Sequence, residues 1–357
     1  MRFIGNKERL VDWIYQVIQK YDIDGKVFFD VFAGTSNVGK FFKQKGYQIV
    51  SSDLLYFSFV LQKAYIQNND IPMFEKLLKN IEVKSSFLFI DNYNLVLEYL
   101  NSLGLLDSGF IYNNYAPTQT SDLETPRMYF TDDNAKRIDT IRLTIENWKN
   151  SNFIDENEYY ILLATLIETV GFFSNILGVY GAFKKDWDKR ALKPLELKPI
   201  SVIKSQNRHF VFNQSSLELL DKFKYDIIYL DPPYNQRQYA PNYHILETIA
   251  KYDNPSIKGI SGMRDYQKQK STFCNKVTAL RDLEKICKSK NYKFLLLSYN
   301  NEGIMPQKDI VSIMSKYGDV IVEEYDYLRF KSNNKGRARD KKFIKEQIYI
   351  LRVDNTN

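Results

Sequence analysis

The sequence predicts an α/β fold in which a parallel central sheet is interrupted by a long, mostly helical insert. Strand and helix patterns alternate within the first 70 residues, which is typical of a parallel sheet. The apolar run Asp226–Leu230 predicts a further buried strand. Asp53 and Asp231 end two of these strands, but far more residues separate them than one crossover needs. An insert therefore lies between them.

The individual elements follow from local patterns. Apolar residues at helical spacing predict a first helix at Leu10–Tyr21, and a turn at Gly34–Gly39 leads into a second helix that continues through Lys45. Further helical patterns cover 56–68, 135–149 and 157–173. Runs of β-branched and aromatic residues predict strands at 27–32, 48–53, 209–212, 226–230 and 293–298, and two late strands at about 320–330 and 346–353.

The insert differs in composition from the segments that form the sheet. Loops rich in Asn and Thr are predicted at Tyr112–Thr125, ahead of the two long helical patterns. We therefore divide the chain into residues 1–97, 98–200 and 201–357. The first and third segments form the sheet, and the second forms a separate helical domain.

Composition narrows the class of protein. The 357 residues are 44% hydrophobic, which is enough for a large core, and a net charge of +7 is compatible with a polyanionic partner. Two cysteines indicate no disulfide framework and favour a reducing cytosol, so we expect a cytoplasmic protein. No metal-ligand spacing is present. The most apolar stretch, 159–179, is broken by Glu168, which argues against a membrane span.

The most informative motif is Asp231-Pro232-Pro233-Tyr234. At the carboxyl edge of a parallel sheet, where ligands bind, it combines a carboxylate, a carbonyl held by two prolines and an aromatic ring. These groups suit an exocyclic amine on a flat base. Asp231 accepts one amine hydrogen, the carbonyl of Pro232 accepts the other, and Tyr234 stacks on the base. A rigid turn after a strand is the alternative interpretation.

Together with Asn235–Tyr239 and Asn242–His244, this motif resembles the catalytic segment of the Dam-like alpha-group DNA adenine methyltransferases. The resemblance extends from Phe3 to about Ile350. It implies a Rossmann-like methyltransferase sheet made of a cofactor-binding half (1–97) and a catalytic half with a basic C-terminal β-hairpin (201–357). The insert (98–200) would be the target-recognition domain. The resemblance also implies transfer of a methyl group from S-adenosylmethionine to the 6-amino group of adenine in double-stranded DNA, as part of a restriction–modification system.

The segment Asp30–Thr35 is the candidate cofactor turn. Gly34 lets a ligand approach the backbone, and Asp53 ends the next strand at a spacing that suits ribose hydroxyls. The resemblance assigns Asp30 to the cofactor ammonium group, and the segment around Lys7 to closure over the methionine end. The family usually has Gly in place of Ser36 and Asp in place of Ser215. The candidate cofactor residues are Phe3, Gly5, Asn6, Lys7, Asp30, Phe32, Gly34, Thr35, Asp53, Leu54 and Ser215.

Basic and aromatic residues mark candidate DNA contacts in three places. One group lies between the two late strands, where phosphate contact and a merely solvated hairpin are both open. A second group surrounds a tryptophan in the insert, and a third follows Tyr234, where side chains can read base edges or fill the gap left by a flipped base. Arg237 can equally pair with an acid. The candidates are Trp187, Arg237, Gln238, Tyr239, Lys331, Lys335, Arg337 and Arg339.

The sequence also leaves open methyltransferases with other substrates and a DNA-binding protein without catalytic activity. Methyltransferases for RNA or for a protein amide more often carry Asn at position 231, and enzymes for the cytosine 4-amino group usually carry Ser there. A catalytically silent DNA-binding or specificity protein would not need the complete motif. We expect a monomer that acts on double-stranded DNA and has no membrane partner. Whether a cognate restriction endonuclease exists stays open, and direct contact with one is not required.

Overall fold

The structure is a computed structural model that describes residues 5–82, 91–289, 291–328 and 343–353. Nine strands are present in this part of the chain, seven in a central sheet and two in a small hairpin. In chain order they are β1 (Val27–Asp30), β2 (Gln48–Ser52), β3 (Phe210–Phe212), β4 (Ile227–Leu230), β5 (Ile257–Lys258), β6 (Met263–Arg264), β7 (Phe294–Asn300), β8 (Gly318–Leu328) and β9 (Phe343–Val353).

Helices cover both faces of the sheet and form the insert. They are α1 (Val11–Lys20), α2 (Asn37–Gln44), α3 (Tyr56–Gln62), α4 (Glu75–Leu78), α5 (Asn92–Ser102), α6 (Phe110–Tyr115), α7 (Asp132–Asn150), α8 (Glu156–Phe173), α9 (His244–Lys251), α10 (Lys276–Lys288) and α11 (Gln307–Met314). A capping box formed by Asp155 and Glu158 fixes the start of α8. Across the described ranges, no helix combines the length and apolar character that a membrane crossing needs.

The order of strands places a ligand crevice between β1 and β4. The sheet runs β3-β2-β1-β4-β7-β9-β8, with β9 antiparallel to both of its neighbours and the remaining pairs parallel. The chain moves outward from β1 to β3 and then returns to the other side of β1 as β4, so the order reverses there. Such a reversal opens a crevice at the carboxyl ends of the strands. Asp30 is paired with Tyr229, two residues before Asp231.

The predicted α/β fold is confirmed, and each predicted strand is present within a few residues of its expected bounds. The loop predicted at Tyr112–Thr125 is wrong at its start, because residues up to Tyr115 belong to α6. Asp139 accepts hydrogen bonds from the first N–H groups of that helix, at Ile111 (2.9 Å) and Tyr112 (2.8 Å), and so stabilises it from a distant part of the sequence. The helix expected at 56–68 ends as α3 and continues as a π turn at Lys63–Gln67. Helices α4, α5, α9, α10 and α11 were not predicted.

The insert packs directly on the sheet-forming part of the chain. Helix α8 contacts both α7 and α3, so the apolar core continues from one region to the other. Polar contacts reinforce this packing: Arg142 on α7 donates to the carbonyls of Ile249 (2.9 Å) and Ala250 (3.1 Å) at the end of α9. The predicted boundary after residue 97 falls within α5. The division into three segments stays a prediction.

Candidate active site

A cavity of about 580 Å³ lies at the carboxyl edge of the sheet. It is bounded by residues that follow β1, β2, β3 and β4, and by the loop 268–273 ahead of α10. The candidate residues that line it are Gly5, Phe32, Gly34, Asp53, Leu54, Ser215, Asp231, Pro233, Gln238 and Tyr239. The cavity therefore brings the candidate cofactor turn and the catalytic motif to one space.

Other candidate residues are one or two positions in sequence from residues that line the cavity but do not line it themselves. They are Asn6, Lys7, Asp30, Thr35, Pro232 and Tyr234. The Asn37 amide donates to the Oδ1 of Asn6 (2.6 Å) and to the Oγ1 of Thr35 (3.2 Å), and thus ties the N-terminal segment to the start of α2. Phe3, Lys331, Lys335, Arg337 and Arg339 lie outside the described residues.

The turn between β1 and α2 has a glycine-like backbone at a serine. Gly34 and Ser36 have φ angles of 51° and 62°, both in the left-handed region. The N–H of Ser36 donates to the carbonyl of Ala33 (2.7 Å), and its buried Oγ has no hydrogen-bond partner among the described residues. A left-handed backbone costs a non-glycine residue roughly 1 kcal/mol. The turn keeps the geometry of a two-glycine sequence, and the serine makes it less stable.

Asp53 joins the end of β2 to this turn. Its Oδ2 accepts a hydrogen bond from the N–H of Gly34 (2.9 Å), and its Oδ1 accepts one from the N–H of Leu55 (2.9 Å). Burial raises the pKa of Asp53, and the two backbone donors oppose that rise. Each carboxylate oxygen has a second lone pair. Asp53 can therefore hold the turn and still accept hydrogen bonds from the hydroxyls of a ligand in the cavity.

Asp30 is a buried acid with spare hydrogen-bonding capacity. Only 1% of its surface is exposed, and its Oδ2 accepts a hydrogen bond from the N–H of Gly39 (3.2 Å). Its Oδ1 has no hydrogen-bond partner within the described part of the chain. Burial, together with the charge of the nearby Asp231, raises the pKa of Asp30 to about 8. A cationic group of a ligand would relieve this cost, because it favours the charged form of the carboxylate.

Asp231 belongs to a cluster of ionisable side chains with Lys7, Tyr234 and Glu346. The hydroxyl of Tyr234 donates to the Oδ1 of Asp231 (2.9 Å). The Nζ of Lys7 lies 3.4 Å from the same oxygen and 3.2 Å from the Oε2 of Glu346, and it also donates to the Tyr234 hydroxyl. The exposed fraction is 16% for the Asp231 side chain but only 4% for Lys7 and 5% for Glu346. Asp231 is thus the member that faces the cavity.

The cluster shifts the protonation of its members. Burial raises the pKa of Asp231 to about 6, against the lowering effects of Lys7 and of the Tyr234 hydroxyl. Burial alone would lower the pKa of Lys7, but the charges of Asp231 and Glu346 outweigh it and raise that pKa. At neutral pH a cationic Lys7 therefore stands beside an anionic Asp231. The acid is ionised and held in place, which makes it a strong hydrogen-bond acceptor.

The residues that follow Tyr234 are held by neighbouring segments. The Gln238 amide donates to the carbonyl of Ser271 (3.0 Å) and accepts from its N–H (2.8 Å), so Gln238 joins the segment after Tyr234 to the loop 268–273, which also lines the cavity. Tyr239 stacks on Tyr243, with ring centroids 6.4 Å apart. The side chain of Arg237 is exposed.

The basic group around Trp187 is partly neutralised. Asp188 contacts the Nζ of Lys184 at 3.4 Å and the Nε of Arg190 at 3.2 Å. Its hydrogen bonds to the side chain and the N–H of Arg190 lower the pKa of Asp188. Trp187 is half-buried, and Lys185 and Lys189 on either side of it are exposed. Three exposed lysines of this group, Lys185, Lys189 and Lys193, are left for an anionic partner at this place.

Sequence reasoning missed part of the site. Glu346 stands in β9 just before a run of buried apolar residues, and that position of an acid was an available signal. Gln214 lines the cavity beside Ser215, and its Nε2 is buried without a hydrogen-bond partner in the described ranges. The loop 268–273 carries no motif; Gln269 fixes it by donating to the Oε1 of Glu247 (2.6 Å) and to the carbonyl of Leu54 (3.2 Å).

Comparison with known proteins decides the family. Residues 3–313 match the family described as D12 class N6 adenine-specific DNA methyltransferase. The chain belongs to this family. The resemblance deduced from the motif around Asp231 and the Rossmann-like methyltransferase sheet are both confirmed. No group of three or more His, Cys, Asp or Glu side chains is placed to hold a metal ion in the described part of this D12 chain.

Individual D12-type relatives cover almost the whole chain. It is 41% identical over 360 residues to the Type II methyltransferase M.FokI of Planomicrobium okeanokoites, and 38% identical over 356 residues to the modification methylase StsI of Streptococcus sanguinis. Both alignments span 99% of this chain but only 53% and 52% of those proteins, so the chain spans about half their length. The Type II methyltransferase M.NlaIII of Neisseria lactamica is 36% identical over 357 residues, which cover 98% of this chain and 99% of the relative.

Proposed function

We propose that this protein transfers a methyl group from S-adenosylmethionine to the 6-amino group of adenine in double-stranded DNA, as the modification enzyme of a restriction–modification system. The observation that carries the proposal is the position of Asp231: an ionised acceptor faces a cavity that is also lined by the turn after β1 and by Asp53. Family membership supports the same reaction.

The cavity suits the proposed cofactor. We assign the ribose hydroxyls to Asp53, whose carboxylate has lone pairs to spare, and the ammonium group to Asp30, whose Oδ1 lacks a partner among the described residues. Gln214 stands next to the position where relatives carry an acid for the adenine ring. Its buried Nε2 makes it a better candidate for that edge than Ser215. When bound, the cofactor supplies an electrophilic sulfonium methyl group.

The catalytic motif prepares the amine of the target base. Asp231 accepts one hydrogen of the amine, and the carbonyl of Pro232 accepts the other, which directs the nitrogen lone pair away from both. The interaction with Asp231 strengthens as the nitrogen becomes positive, so Asp231 acts chiefly in the transition state. Tyr234, whose ring lies 5.0 Å from that of Tyr299 in an edge-on contact, supplies the surface on which the base stacks.

DNA binding is assigned to surfaces beyond the cavity. Lys185 and Lys189 are exposed beside Trp187 in the insert, and Arg237 is exposed next to the catalytic motif. We assign phosphate contacts to these lysines and to the basic segment at 331–339, and a contact with the bases around the target to Arg237. Recognition of the sequence is assigned to the region 98–200.

A transfer assay tests the proposed reaction. The purified protein is incubated with tritiated S-adenosylmethionine and genomic DNA, and the label is located by a sequencing method that detects methylated adenine. Label on the adenine 6-amino group at a fixed sequence is the expected result. Binding of cofactor and DNA without transfer would favour a silent specificity protein. Label on RNA or on the cytosine 4-amino group would contradict the assigned substrate.

A further inference from the structure

Glu346 is a buried acid that the catalytic motif does not include. It lies on β9, where it is paired with Asn300 on β7 and with Tyr325 on β8. Its side chain is 5% exposed and contacts the Nζ of Lys7 at 3.2 Å. Burying a carboxylate is expensive unless a charged partner offsets the cost, so the contact with Lys7 explains why the acid is tolerated there.

Glu346 reaches Asp231 through two intermediaries. The Nζ of Lys7 lies between the two acids, 3.2 Å from Glu346 and 3.4 Å from Asp231. The hydroxyl of Tyr234 is 2.9 Å from Asp231 and 3.4 Å from Glu346. Both intermediaries contact the Oδ1 of Asp231. The other oxygen, Oδ2, is the one left to accept a hydrogen from an amine in the cavity.

We propose that Glu346 is a positioning residue for methyl transfer, which holds Lys7 so that its ammonium group is shared between two carboxylates instead of neutralising Asp231. This inference rests on the proposed function. With Glu346 present, one cation is balanced against two acids, and the cluster keeps a net negative charge. That charge strengthens Asp231 as an acceptor and stabilises the positive charge that develops on the amine.

The charged groups around Asp231 determine whether its pKa rises or falls when the charge of Glu346 is removed. Asp231 is faced by Lys7 from the N-terminal segment, by Glu346 from β9, by Asp30 from β1 and by the tyrosines 229, 234 and 239. Glu346 is a like charge, which raises the pKa of Asp231 above the value that burial, Lys7 and Tyr234 would set. Removing the charge of Glu346 should therefore make Asp231 a weaker acceptor that is also harder to protonate.

The test is the pH dependence of single-turnover methyl transfer in Glu346→Gln. We expect the rate at neutral pH to fall by about tenfold, less than the loss of a direct transition-state partner. The acidic limb of the profile should also move to lower pH, by roughly one unit. Glu346→Asp keeps the charge and should leave the acidic limb in place. Glu324→Gln is a matched control, since Glu324 pairs with Lys345 on the same pair of strands and is 37% exposed.

The outcomes separate this inference from its alternatives. An unchanged rate and profile in Glu346→Gln would overturn it, and so would a slower rate with an unmoved acidic limb and a lower melting temperature, which indicates a structural role only. If Glu346→Gln does not fold, Glu346→Asp is the deciding variant. A shift of the acidic limb of its pH–rate profile would overturn the inference. Failure of the wild-type protein to methylate any DNA would instead refute the proposed function.

Discussion

The Oδ2 of Asp53 accepts a hydrogen bond of 2.9 Å from the backbone N–H of Gly34, so the acid that directly follows β2 holds the turn that follows β1. The same carboxylate also binds the N–H of Leu55. A residue chosen from the sequence as a ligand for ribose is thus also part of the wall of the cavity. Replacing Asp53 therefore affects both ligand binding and the stability of the cavity wall.

We therefore expect Asp53→Ala to weaken binding of S-adenosylmethionine by at least about tenfold and to lower the free energy of unfolding by about 1–2 kcal/mol, because two backbone donors lose their acceptor. Saturating cofactor should restore part of the rate. Isothermal titration calorimetry and urea denaturation measure the two effects separately. An unchanged affinity would mean that Asp53 has a structural role only.

Asp231→Ala should leave cofactor affinity within a few fold and reduce methyl transfer by at least about a hundredfold, the scale of losing one transition-state partner. In the wild-type protein, transfer should decline as the pH falls through about 6, the pKa to which burial raises Asp231, because the carboxylate is a stronger acceptor for the amine hydrogen than the protonated acid. A tritiated-methyl assay across pH checks both statements. Near-normal turnover in the variant would refute the assigned mechanism.

Asp30→Asn tests the buried acid beneath the cofactor turn. The pKa of Asp30 is raised to about 8 in the folded protein, and it is about 3.9 in an unfolded chain. The folded state binds this proton more tightly than the unfolded chain does, so the protonated Asp30 stabilises the fold fully below about pH 4. That stabilisation is lost as the pH rises through about 8. The variant should therefore become progressively more stable than the wild type as the pH rises from about 4 to about 8. Urea denaturation without cofactor at several pH values measures the gain, and a constant difference would contradict it.

Ser36→Gly should stabilise the protein by about 1 kcal/mol, because glycine adopts the left-handed φ of 62° without strain. Ser36→Ala is the matched control: it also removes the buried Oγ but keeps the strained backbone. We expect a higher melting temperature for the glycine variant and no such gain for the alanine variant. Equal gains would assign the cost to the hydroxyl instead of the backbone.

Lys185→Ala combined with Lys189→Ala should weaken DNA binding without changing the methylated sequence, because phosphate contacts position a protein but do not specify bases. The slope of log K against log salt should become shallower by about 2, one for each phosphate. Lys184→Ala is the control, since Lys184 is paired with Asp188. Fluorescence anisotropy at several salt concentrations measures the slope. An equal effect of the control would count against the assignment.

Much of the fold was accessible from the sequence because the evidence was local. The strand before Asp231 and the turn at Gly34 are each encoded by a few adjacent residues. Only those site residues that belong to a local sequence motif could be predicted. Glu346 on β9 forms an ion pair with Lys7, which precedes α1, and the Gln238 amide donates to the carbonyl of Ser271. Contacts of that kind depend on tertiary structure, which no short pattern encodes.

The contact between Lys7 and Glu346 joins positions 339 residues apart, with Asp231 between them in the sequence. Contacts between such distant positions form late in folding, because closing a long loop is entropically costly. A chain still on the ribosome, or one cut ahead of β9, would hold the cofactor turn and Asp231 but not the acid that shares Lys7. We expect such incomplete chains to modify DNA poorly, so that full methylating activity arises only once the last strand of the sheet is in place.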